Sequence, residues 1–351
     1  MKYLSVETGR GVAAILVVLV HASDMLSGPK YFGTMAFDGM FRFGHAGVDF
    51  FFVLSGFIIF HVHRRDIGDP SRLGEYLKRR FVRIFPTYWI VLLFLGLILS
   101  VSPTKDLHER TLVAIVSSFF LIPLEPANPI LGVAWTLQHE ILFYALFSTL
   151  FLSRTLGKIV LGIWATLITW NVVFGNFTVF PTDFLFSTFN IEFFFGIAVS
   201  AMLRHKPAFY PRTLLACGTI LFFGMGLVEA NYPNFSIQWS GPHIIYATGA
   251  AMALYGMVGA EDAKRLRHIP SWIVGLGTAS YSIYLSHTIV IMLIQQALLI
   301  VMRFVTLPLQ LTFVFLVVTT IIICERFSYF VEQPLLRWCR RALSPRAVQR
   351  A

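Results

Sequence analysis

Residues 44–60 read Gly-His-Ala-Gly-Val-Asp-Phe-Phe-Phe-Val-Leu-Ser-Gly-Phe-Ile-Ile-Phe, and the apolar character of the run extends over residues 43–63. As an α-helix this length crosses a hydrocarbon core of ~30 Å. One carboxylate, Asp49, stands inside it, and Arg64-Arg65 follow at its end. A buried carboxylate is costly in such a segment, so its presence marks either a functional group or a polar staple between helices, while the paired glycines allow close helix approach.

Working outward, apolar runs of similar length recur at residues 10–27, 84–102, 131–153, 157–175, 183–203, 213–230, 241–260, 277–302 and 307–331. The whole chain of 351 residues is 56% hydrophobic, only 13% charged, and has a mean hydropathy of +0.72. These values exclude an ordinary soluble domain and a single anchor. The expected fold class is all-α: a polytopic membrane helix bundle of about ten transmembrane helices. Residues 112–124 are apolar but short and run into Pro123 and Pro126, which fits a re-entrant or interfacial segment better than a crossing.

The formal net charge of +10 raises the question of nucleic acid, and the placement of the charge answers it. Of the 28 Lys and Arg, only Lys30, Arg42, Lys105, Arg110 and Arg303 fall on one side of the alternating loops, and Arg326 stays within a span. The others gather on the opposite side, as the positive-inside rule requires when both termini are cytoplasmic. Nucleic acid is therefore not an expected partner, whereas membrane lipids are. The division expected is a membrane domain over residues 1–335 and a basic cytoplasmic tail over 336–351. The basic start and apolar stretch to Val20 resemble a secretion signal, but a polytopic protein uses its first span for targeting, and retention of this segment is expected. Cys217, Cys324 and Cys339 lack metal-type spacing, so no metal is expected.

Several ionisable side chains lie inside the runs. His21 and Asp24 are three apart and share a helical face, which suits either a general base held by a carboxylate or an interhelical contact. Glu140 falls roughly nine residues, or ~14 Å, into its run, too deep for easy snorkelling. Glu192 and His287 are similarly deep. Arg80 and Arg83 share a face where the 64–83 loop enters the third span, suited to bidentate phosphate contacts or to a plain topology signal among lipid headgroups. Leu73 to Phe85 has helical spacing and is expected to form a short interfacial helix running into that span. Such a set implies a polar cavity within the bundle, as an enzyme or a transporter would need.

In order along the chain stand Arg10-Gly11 with His21; Gly47-Val48-Asp49-Phe50-Phe51-Phe52-Val53-Leu54-Ser55-Gly56-Phe57; Arg80 and Arg83 before Pro86-Thr87-Tyr88-Trp89; Trp135-Thr136-Leu137 with Glu140-Ile141-Leu142-Phe143-Tyr144; Tyr281-Ser282-Ile283-Tyr284-Leu285-Ser286-His287; and Ser328-Tyr329 with Glu332 and Pro334. Together they resemble the acyltransferase-3 family of bacterial integral-membrane acyltransferases, in particular its exopolysaccharide and Nod-factor O-acetyltransferase branch. The resemblance implies a ten-span inner-membrane O-acyltransferase with acetyl-CoA or another acyl-CoA as donor and a saccharide or lipid-linked glycan as acceptor. It implies His21 as the catalytic histidine and Arg80 and Arg83 as essential arginines, beside which Arg10 is a further candidate for the donor. Asp24 and Glu140 join His21 as catalytic candidates, and Asp49 and His287 are candidates for the substrate path. Gly9 departs from the family, which places an apolar residue before Arg10-Gly11.

Overall fold

The computed structural model of the chain describes residues 3–101, 111–125, 129–204, 208–232, 241–264 and 269–343. Every regular element among them is helical. The order is α1 (Leu4–Leu26), α2 (Gly47–His63), α3 (Leu73–Val101), α4 (Leu112–Phe120), α5 (Trp135–Leu152), α6 (Arg154–Phe174) and α7 (Thr182–Leu185). It continues with α8 (Phe189–Met202), α9 (Pro211–Asn231), α10 (Gly241–Asp262), α11 (Ser271–Val301), α12 (Leu309–Phe327), a π-helical turn (Ser328–Glu332) and α13 (Gln333–Leu343).

Among the described residues, nine helices are long and apolar enough to cross a membrane. The expected run at 131–153 forms α5, which is not one of the nine because Gln138, His139 and Glu140 make its first turns polar. The expected interfacial helix at 73–85 is no separate element: it continues through Pro86 as one helix, α3, of 29 residues. Proline at N-terminal or mid-helix positions removes one backbone donor without preventing continuation when neighbours hold the segment. The 112–124 segment forms the nine-residue α4, about 14 Å long and too short to cross. It hangs on α3, whose Tyr88 hydroxyl donates to Ser118 O (2.6 Å) and whose Trp89 indole donates to Phe119 O (2.9 Å). Residues 336–343 of the expected tail are part of α13, where Leu336 and Cys339 pack on Val82 of α3; residues 344–351 lie outside the described part.

α2 is the most enclosed of the apolar helices and α6 the least. Helices inside a bilayer gain little from apolar burial against one another, so close backbone packing and interhelical hydrogen bonds must hold them. Between α2 and α8 that closeness depends on two glycines: a Cβ at Gly56 would collide with the carbonyl of Phe193, and one at Gly196 with the carbonyl of Val53. Aromatic stacking fills the adjoining core, with Phe143 of α5 parallel to Phe193 at 4.3 Å. Gly9, the departure in α1, faces the ring of Phe50, which a Cβ would approach to 2.6 Å; the aromatic side chain occupies the room an apolar residue would take.

Gly196→Ala is expected to cost about 1–3 kcal/mol, because the colliding atoms are backbone and cannot rotate away. Gly162→Ala on α6, where nothing lies within 4 Å, is expected to be neutral or slightly stabilising. Thermal unfolding of both variants in one detergent reads the difference.

Candidate active site

A cavity of about 270 Å³ opens between α1, α2, α3, α5 and α11. Helical spacing explains its lining: Arg80 and Arg83 are one turn apart on α3, Glu140 and Tyr144 on α5, and Ser280 and Tyr284 on α11. Glu140 accepts hydrogen bonds from Ser55 Oγ (3.0 Å) and from the Tyr144 hydroxyl. The guanidinium of Arg80 stands 5.6 Å over the Tyr144 ring, and Arg83 stands 4.7 Å over Tyr281. Arg10 Nε donates to Ser280 Oγ at 3.1 Å.

Arg83 contacts a buried carboxylate directly. Arg83 lies 3.5 Å from Glu332, which is itself held by Ser282 Oγ (2.6 Å) and Ser328 Oγ (2.7 Å). The π-helical turn after α12 carries both Ser328 and Glu332 into this position, a local widening of the helix of the kind found at functional sites. Arg80 Nε is buried without a hydrogen-bond partner among the described residues. A desolvated guanidinium donor is costly to leave unmet, so this corner is suited to an anionic ligand. Arg80 and Arg83 also line a second cavity with Lys78, Arg79 and Arg340, and Arg10 and Arg83 a third with Arg337 and Arg340. These arginines thus separate the interior cavity from a strongly basic end of the bundle.

His21 is outside that lining. Its ring meets His287 edge to face at 4.8 Å between centroids. His21 Nδ1 lies 2.8 Å from Val17 O, one turn back on α1, and therefore donates, which leaves Nε2 of the neutral ring as a proton acceptor. His287 is fully buried, its Nδ1 bonded to Tyr284 O (2.7 Å) and its Nε2 without a hydrogen-bond partner among the described residues. Tyr284, one turn earlier on α11, lines the cavity, so α11 connects the arginine site to the histidine pair. Its hydroxyl is tied to Thr136 Oγ1 at 2.8 Å. Asp24 is exposed beside His21, and the hydrogen bond of His21 Nδ1 runs to the Val17 carbonyl within its own helix.

Asp49 joins neither group. It is fully buried and 2.7 Å from His243 Nδ1 of α10, beside His45, Glu192 and Glu229. Its partner could not be read from spacing, since His243 is 194 positions away. Ser55, Tyr144, Tyr281 and Glu332 are members of the motifs quoted above whose site roles emerge only from the packing.

A bundle of long apolar helices around an arginine-lined cavity defines a multi-pass membrane protein, and α-helical crossings rather than a β-barrel place it in the bacterial inner membrane. The sequence profile of the acyltransferase-3 family, described as an acyltransferase domain, matches residues 3–324, and the chain belongs to that family. It is an O-acyltransferase related to proteins of exopolysaccharide production. It is 30% identical over 273 residues, 73% of this chain and 80% of the relative, to the exopolysaccharide production protein ExoZ of Rhizobium meliloti (strain 1021). It is 27% identical over 182 residues, 46% of this chain and 88% of the relative, to protein 2 in the picA locus of Rhizobium radiobacter. No solved structure matches.

Proposed function

We propose that the chain transfers an acyl group, acetyl in the simplest case, from acyl-CoA to a hydroxyl of a surface polysaccharide or lipid-linked glycan. The observation that carries this reading is the buried Arg80 Nε without a partner, set beside Arg10 and Arg83 at the wall between the interior cavity and the basic end. Guanidinium groups suit the phosphates of coenzyme A, and the mixed polar and aromatic lining beyond them suits an acyl-pantetheine arm. In this reading the basic end faces the cytoplasm, both termini lie there, and α5 completes ten crossings. Residues 1–335 act as the membrane domain and 336–351 as its basic cytoplasmic extension.

The chemistry assigned to His21 is that of a general base. Nε2 takes the proton of the acceptor hydroxyl as its oxygen attacks the thioester carbonyl; the C–S bond breaks, and the imidazolium returns the proton to the departing thiolate. Glu140, fixed by Ser55 and Tyr144, and His287, packed on His21, shape the path between the donor and the base.

Mass spectrometry of surface glycans from a deletion strain tests the whole reading. An acyl mass missing from the deletion strain and restored by the wild-type chain identifies both the acyl group and the acceptor. A glycan whose acylation is unchanged by deletion rejects this acceptor class.

A further inference from the structure

At the end of the bundle opposite the arginines, the turn before α2, α2 itself and α10 bring His45, Asp49 and His243 together. One potential ligand atom from each lies within 4.8 Å of the other two. Glu229 at the end of α9 bonds His45 Nε2 at 3.0 Å and accepts from the Tyr246 hydroxyl at 2.6 Å. Glu192 of α8 lies against Asp49.

Acidic oxygens in this pocket are short of partners. Asp49, Glu192 and Glu229 are 0%, 0% and 3% exposed. The ion pairs that Asp49 and Glu229 make are with histidines. Asp49 Oδ2 and Glu229 Oε1 have no hydrogen-bond partner among the described residues. Buried carboxylate oxygens left in this way are strongly unfavourable. A divalent cation can coordinate the unpartnered oxygen of Asp49 without a further side chain.

We propose that His45, Asp49 and His243 bind a divalent transition-metal ion of the zinc class. Two imidazoles and one carboxylate are a donor set that zinc accepts, at about 2.0–2.2 Å per bond. The ion takes the place of the His243–Asp49 hydrogen bond and draws the three ligand atoms together by side-chain rotation. The His45–Glu229 contact is the carboxylate–imidazole arrangement that orients a ligating histidine. The ion reaches the site past His45, whose side chain is 40% exposed. Once bound, it ties α2 to α10, joining elements that come from distant parts of the chain. This inference is independent of which acyl donor and acceptor the enzyme uses.

The test uses the full chain, purified without an affinity tag, stripped with a chelator and titrated with zinc chloride. Metal content is read by elemental mass spectrometry and thermal unfolding is followed in parallel. The expected result is about one zinc per chain, a rise in Tm on adding zinc, and at least tenfold weaker binding in both His45→Ala and His243→Ala. His45 lies on a partly exposed turn, so its variant keeps the test valid if His243→Ala fails to fold. Wild-type chain that binds no zinc, or binds it as well as His45→Ala does and with no change in Tm, overturns the proposal.

Discussion

His21→Ala is expected to lower acyl transfer by about 10²–10⁴-fold, the range that a positioned general base contributes. The loss should appear in kcat rather than in the KM for the donor, because His21 is not among the residues that line the arginine cavity and packs instead on His287. Membranes containing equal amounts of wild-type and variant chain, assayed for thioester consumption and for acylated product, provide the measurement. Asp24→Asn should retain the greater part of the activity, since Asp24 is exposed and the helix backbone holds the His21 ring. Full activity in His21→Ala would remove the general-base role. A large loss in Asp24→Asn would instead restore the carboxylate as a positioning group.

Arg80→Ala is expected to raise the KM for acyl-CoA by about 10–150-fold, with a smaller change in kcat. Losing a charge-assisted hydrogen bond costs about 1.5–3 kcal/mol, and each 1.4 kcal/mol is about tenfold. Arg80 gives the cleaner test of the pair. Arg83→Ala also strips Glu332 of its guanidinium and leaves a carboxylate that is 2% exposed with only two serine donors, so it mixes a binding loss with a stability loss. Arg80→Lys keeps the charge but loses the planar fork and should recover only part of the affinity. An unchanged KM in Arg80→Ala would dissociate this arginine from the donor.

Both variants concern residues that are visible in the sequence, because an ionisable group inside or at the mouth of an apolar run stands out against its surroundings. The same contrast misleads where the polar group is close to the end of a run. Glu229 and His243 fall near the ends of the runs at 213–230 and 241–260 and read there as ordinary boundary residues, yet folding brings both towards Asp49 and His45. Asp24 shows a further limit of spacing. Its spacing from His21 is right for a pair, but sharing a helical face does not decide which acceptor the ring nitrogen takes, and the backbone of the preceding turn is nearer at hand.

Hydropathy over a stretch of twenty residues is a local property, and so is the alternation of basic loops. The sequence alone therefore determined the helical membrane architecture, the short non-crossing segment at α4 and the family, whose motifs are contiguous strings. Which polar groups meet is decided by how the helices rotate and cross. That depends on the backbone contacts permitted by Gly56 and Gly196, on the π-helical turn that swings Glu332 towards Arg83, and on the packing of α1 against α11 that sets His21 on His287. These partners are separated by scores or hundreds of residues, and no local pattern encodes their rotation about the helix axis. Only the tertiary structure brings them together, because each contact is the outcome of two or more helices satisfying their packing at once.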